Sequence, residues 1–227
     1  VGFESNPRRR SLGYHSIYDY YRARLSLSDS RDRIYWHFHP VSYFKEANKT
    51  SCNFNYTSEH LQVLSRRVID FMDFPVAYRP GSHTERPDIN LFLEQWIPFD
   101  FGNQGMEERE EDKLQQDIAG GRYGDWRFAP SEWGIYHPDF YDYQKPGSMK
   151  RLIARCLNLD SRLRPINRKE IESAFQKSSA GNHPVIMSVT NHDEREMRTG
   201  IDWYMNTVRD VQKTSFNDIK IKHCTAV

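Results

Sequence analysis

Cysteine is scarce in this chain. Three of 227 residues are cysteine, and Cys52, Cys156 and Cys224 lie far apart with no CxxC pair among them. An odd, scattered set builds no disulfide framework, so a reducing, cytoplasmic setting is the expectation. Net charge is also nearly absent, at +1. No bulk field then draws the chain to nucleic acid or to an anionic membrane, and Arg8-Arg9-Arg10 is too short a run to change this. Long apolar runs are missing as well. Nothing approaches the roughly 18 consecutive apolar residues of a membrane span, and the first residues are not a signal peptide. Internal repeats and low-complexity linkers are lacking too. The opening residues from Val1 are rich in Pro and Arg and do not resemble a first strand, so further residues are expected before them.

What is present argues for a folded protein. Charged residues make up 28 % and hydrophobic ones 37 %, but aromatics reach 14 %, which disordered chains do not. The length suits one large domain. We place it over 34–227, with residues 1–33 as an N-terminal segment.

Hydrophobic periodicity predicts alternating strands and helices. Ile34-Tyr35-Trp36-His37-Phe38-His39, closed by Pro40, reads as a strand with Trp36 on one face and His37 and His39 on the other. A helix capped by Thr57 or Ser58 carries Leu61, Leu64, Val68, Phe71 and Met72. Pro75 to Tyr78 is a strand that runs into Arg79-Pro80-Gly81-Ser82-His83. Pro87 opens a helix with Ile89, Phe92, Leu93 and Trp96 on its apolar stripe. The charged segment from Glu107 to Asp117 reads as an exposed helix, and Asp125 to Pro130 as a strand and its exit. Helices are expected over Met149–Leu157, over Lys169–Lys177 with Asn167 as cap, and over Arg195–Lys213. Strands are expected over Pro184–Thr190 and Ile219–Cys224. This alternation predicts an α/β fold with a mainly parallel sheet, open or closed into a barrel.

Polar clusters stand at the strand exits: His37/His39, Arg79/His83, Asp125/Trp126 and His192/Asp193. Strand-to-helix exits are where β/α barrels build their sites. Two imidazoles two residues apart on a strand can converge on one divalent cation, or can be ordinary half-buried histidines. His192 can serve as a general acid or base near neutral pH, or pack in a turn capped by Asp193. Arg79 can bind a carboxylate or another anionic substrate group through its planar fork. The rings between Trp126 and Tyr143 suit a sugar face or a core wall equally.

Taken together, Trp36-His37-Phe38-His39-Pro40, Arg79-Pro80-Gly81-Ser82-His83 and Ser188-Val189-Thr190-Asn191-His192-Asp193 resemble motifs of the polysaccharide deacetylase superfamily. The nearest likeness is to the deacetylase-like proteins of O-antigen gene clusters (the WbmS type). The resemblance runs in order from about Ile34 to the C-terminus and implies a distorted β/α barrel. It implies a metal-dependent hydrolase that removes an N-acetyl group from a sugar or sugar nucleotide in surface polysaccharide biosynthesis. His37 and His39 would be metal ligands, with zinc favoured by ligand type. Arg79 would orient the catalytic base, His192 would be the general acid, and His83, Asp125 and Trp126 would shape the substrate pocket.

Two departures stand out. The family's paired histidines are four apart on a turn, whereas these are two apart on a strand. The aspartate pair of the family's first strand is absent, and Asp19 has no strand-end context to replace it. Either that strand precedes Val1 or the chain is a degenerate, inactive member. An amidohydrolase-type metal site and a non-catalytic carbohydrate-binding protein are the alternatives.

Overall fold

The structure is a computed structural model, and it describes residues 14–38, 58–85, 87–106, 124–160, 165–181, 183–192 and 196–225. His39, Pro40, Cys52, Thr57, Asp193, Arg195, the segment 107–117 and the Arg8-Arg9-Arg10 run lie outside these. The elements in chain order are helix α1 (Tyr14–Ser26), β1 (Trp36–Phe38), α2 (Ser58–Phe71) and β2 (Ala77–Pro80). A 3-10 turn (Gly81–His83), α3 (Pro87–Trp96), β3 (Phe99–Asn103) and β4 (Ile135–Tyr136) follow. The last four are β5 (Leu152–Asn158), α4 (Arg168–Gly181), β6 (Ser188–Thr190) and α5 (Arg198–Ser215).

The strands form one curled sheet, a half-barrel of mixed α/β type. Strands β1, β2, β3, β5 and β6 are parallel and adjacent in sequence order, and the short β4 is antiparallel to β5. Sequential order without reversal is the connectivity of a barrel rather than of a doubly wound sheet. It directs the C-terminal ends of all five parallel strands to one rim.

Apolar side chains on the outer face seat the helices. Trp36 and Tyr78, register partners on β1 and β2, pack with Leu64 of α2 and with Phe92, Leu93 and Ile97 from α3 and its end. Leu157 of β5 meets Ile171, Ala174 and Phe175 of α4 and Val208 and Val211 of α5. Trp36 is buried and His37 exposed, as strand alternation requires. α3 begins at Pro87, and Asn167 Oδ1 caps α4 by accepting the Glu170 N–H at 3.1 Å. Trp96 departs from its expected inward stripe and is half exposed; Ile97 takes the core position beside it.

Within the N-terminal segment, α1 docks on α2. Tyr18 donates to Asp73, which also takes Arg67, and the Tyr18 ring meets Phe71 edge-on at 4.8 Å.

Four predicted segments take another form in the structure, and α1, β3 and β4 are elements that the sequence reading did not place. Met149–Leu157, expected as a helix, contains β5. Its outward positions alternate Ile153, Arg155 and Leu157, and the Arg155 charge is tolerated there because Glu170 clamps it at 2.7 and 3.0 Å over the Trp133 ring. Asp125 to Pro130 is turn rather than strand: Asp125 Oδ1 accepts the Arg127 N–H at 3.1 Å, and the Ala129 N–H reaches back to the Trp126 carbonyl. The strand expected over Pro184–Thr190 pairs only from Ser188, because β4 already occupies the earlier edge of β5. Ile219 to Cys224 finds no sheet neighbour and stays irregular, with Lys220 to Cys224 exposed. Among the described residues no helix is long and apolar enough to cross a membrane.

Candidate functional site

At the C-terminal rim a chain of polar contacts crosses the sheet. His37 and Arg79 are register partners, and His37 Nδ1 lies 2.8 Å from the Arg79 carbonyl oxygen. A backbone carbonyl only accepts, so Nδ1 donates in this contact. A backbone partner on one ring nitrogen is how a metal-ligating histidine is commonly oriented.

The Arg79 side chain extends the chain to β5. Its Nη2 donates to His83 Nε2 at 2.9 Å and lies 3.5 Å from Asn158 Oδ1. His83 Nδ1 donates to the Gly102 carbonyl at 3.2 Å, which leaves Nε2 as the acceptor that Arg79 requires. Burial and then the adjacent Arg79 cation hold the His83 imidazole well below its ordinary range, so it is neutral. Burial likewise lowers the Arg79 guanidinium, which nonetheless remains a cation. Cys156, two residues before Asn158 on β5, has its thiol pushed up to about 12 by burial and is no nucleophile near neutrality.

His83 is fixed from behind. It sits in the left-handed region at φ 49°, and Trp126 donates its indole N–H to the His83 carbonyl at 2.7 Å. Gly124 lies against the same carbonyl, where an added Cβ would come within 1.8 Å. Trp126 therefore positions the site through His83. Asp125 does something else: its carboxylate pairs with Arg127 at 2.9 Å, and its carbonyl accepts the Tyr143 hydroxyl.

On the far side, Thr190 of β6 is in register with Asn158, and the Asn191 side chain accepts the His192 N–H at 2.8 Å. His192 thus belongs to the same rim as His37, four strand spacings away. That is about 19 Å along the sheet at ~4.8 Å per spacing, and less across the curl. His39 lies outside the described residues. Among the described residues no three His, Cys, Asp or Glu side chains are grouped to hold a metal.

Asn158 is the residue that the sequence reading missed. It ends β5, much as Arg79 stands one residue before the end of β2 and His192 two residues past β6, but the helical reading of its segment hid that position. A cavity of about 440 Å³ bordered by Phe128, Tyr136, Lys145 and Lys177 lies beside the rim at Asn103. It contains no residue of the polar chain, and its Lys177 is already paired with Glu132 at 2.8 Å. The polar chain is the better candidate, because it joins a neutral, buried imidazole, a partly buried cation and a second imidazole in one run of contacts.

Beneath the rim a second polar cluster is wholly buried. Arg151 donates to Glu85 and to Asp100 at 2.8 Å each, and to Asn90. One cation faces two carboxylates, and burial holds the Glu85 carboxyl well above its usual range. The cluster ties the residues that follow β2 to β3, α3 and the start of β5. Comparisons with protein-family models, curated proteins and solved structures returned no match for this chain.

Proposed function

We propose that the chain is a metal-dependent hydrolase that removes an N-acetyl group from a sugar or sugar nucleotide during surface polysaccharide biosynthesis. Its scaffold would be the distorted β/α barrel of the polysaccharide deacetylases. The observation that carries this reading is the contact chain from His37 to Arg79 and from the Arg79 guanidinium to His83 and Asn158, on the rim that also bears His192. His37 suits a ligand's role, because its Nδ1–H is committed to the Arg79 carbonyl, the kind of backbone partner that orients a ligating imidazole. His39 would be its companion. A bound divalent cation, with zinc favoured, would polarise the amide carbonyl and acidify a water. His192 would protonate the departing amine, and Trp126 would hold His83 and through it the Arg79 plane. The alternative of a carbohydrate-binding protein without catalysis is separated by one assay. Full-length protein supplied with zinc is expected to release acetate from an N-acetylhexosamine or its nucleotide conjugate. Binding of the sugar with no acetate released would replace the hydrolase with the binding protein.

A further inference from the structure

The wholly buried arginines Arg67, Arg151 and Arg155 each meet a carboxylate, and the partly buried Arg79 does not follow them. Arg67 pairs with Asp73 at 2.7 Å, Arg151 with Glu85 and Asp100 at 2.8 Å, and Arg155 with Glu170 at 2.7 Å. Arg79 meets no carboxylate among the described residues. Its Nη2 has two neutral neighbours, His83 and Asn158, and its Nε is sealed from solvent without a hydrogen-bond partner. A largely covered cation with no carboxylate beside it among the described residues is unfavourable, and apolar residues often replace even buried ion pairs without loss of stability. A purely structural role therefore gives no reason to keep it. The surroundings keep it in one orientation instead. His83 is clamped by Gly102, Trp126 and its own backbone, and Asn158 by the β5–β6 pairing, so the guanidinium plane is set while Nε–H stays uncommitted.

We propose that Arg79 is the receptor for an oxyanion carried by the ligand, so that the rim takes an acidic sugar rather than a neutral one. The anion is a carboxylate or a phosphate, both of which match the planar N–H fork. This rests on the rim being the substrate site, but it assigns Arg79 to the ligand rather than to a base of the protein. Nε is covered in the free fold, so the anion meets it as neighbouring side chains shift, and binding is read as stabilisation.

The test is chemical denaturation of the full chain with inorganic phosphate, N-acetylglucosamine 1-phosphate, glucuronate and neutral N-acetylglucosamine. The phosphates or glucuronate are expected to raise the midpoint and the neutral sugar to do so at least tenfold more weakly. The tighter of the two anionic sugars identifies phosphate or carboxylate as the source. In Arg79→Met the anion response should be lost, while stability in anion-free buffer equals or exceeds that of the parent. Unmutated protein supplies an independent measurement: one arginine Nε–H resonance should move on titration with the anion. No midpoint shift with any anion, a shift that persists in Arg79→Met, or an Arg79→Met chain that is unstable without anion would overturn the proposal. Anion binding without acetate release leaves it standing and removes the hydrolase. Equal acetate release from neutral and acidic substrates does the reverse.

Discussion

Trp126 donates its indole N–H to the carbonyl oxygen of His83, a residue with φ 49°, and the two are separated by 43 positions in the chain. The bond pins a backbone conformation that an L-residue adopts at some cost. Trp126→Phe keeps most of the ring but leaves that buried carbonyl unpaired. A loss of about 1–3 kcal/mol is expected in urea denaturation. Gly124→Ala should cost about 3 kcal/mol or more, because its Cβ would overlap the same carbonyl and neither backbone can yield. A Gly124→Ala protein as stable as the parent would show that this contact is not tight.

Metal content is the direct check on the histidine pair. Elemental analysis of the full-length protein should find zinc in stoichiometric amount, and His37→Ala or His39→Ala should each lose it. Asn in place of His37 offers no imidazole and should behave as Ala does. Retention of the metal through both alanine variants removes the ligand assignment.

His192→Ala separates chemistry from structure. As a general acid its removal should lower kcat by about 10²–10⁴-fold, with metal content and substrate affinity nearly unchanged. A packing role gives the opposite pattern, with a lower melting temperature and activity per folded molecule preserved. Both outcomes are read from one preparation, by acetate release and thermal unfolding.

The two perturbed buried groups pull stability in opposite directions with pH. His83 is held below its ordinary 6.5 by burial and by Arg79, so the unfolded chain binds the proton first on acidification. Its contribution is complete above that value and is lost as the pH falls. Glu85 is held above its ordinary 4.5 by burial, so the folded chain keeps the proton longer. Its contribution is complete below that value and is lost as the pH rises. Each slope is at most ~1.4 kcal/mol per pH unit. Between the two ordinary values, denaturation midpoints should fall with rising pH in His83→Gln and with falling pH in Glu85→Gln, while the parent varies less than either. Slopes of one sign in both variants would contradict this assignment.

The strands that place His37 and Arg79 were legible because each is short, alternates or runs apolar, and ends at a Pro. The helices at Pro87, Asn167 and around Val208 were legible from their caps and apolar spacing. β3 was not, because Phe99-Asp100-Phe101-Gly102-Asn103 puts a charge inside the sheet that is met by Arg151, 51 positions away. β5 was hidden in the same way by Arg155, whose partner Glu170 sits on a later helix. Long-range ion pairs convert positions that look solvated into core, and local patterning does not see them. The rim was therefore found through its strand ends, and Asn158 was lost with its strand.

Sequential strand order also has a bearing on how the chain reaches this fold. Each parallel strand pairs with the parallel strand that precedes it, so the sheet can lengthen in the direction of synthesis without waiting for a distant segment. Loop closure is least demanding for the nearest partners, and among the parallel pairs the shortest span runs from Ala77 to Phe99. The β2–β3 pair, with α3 packed across it, is then the natural nucleus, and β6 the last strand to add. On that scheme Leu93→Ala should slow refolding, whereas Val189→Ala on β6 should mainly speed unfolding. The residues that fix Arg79 would be assembled before the edge that carries His192.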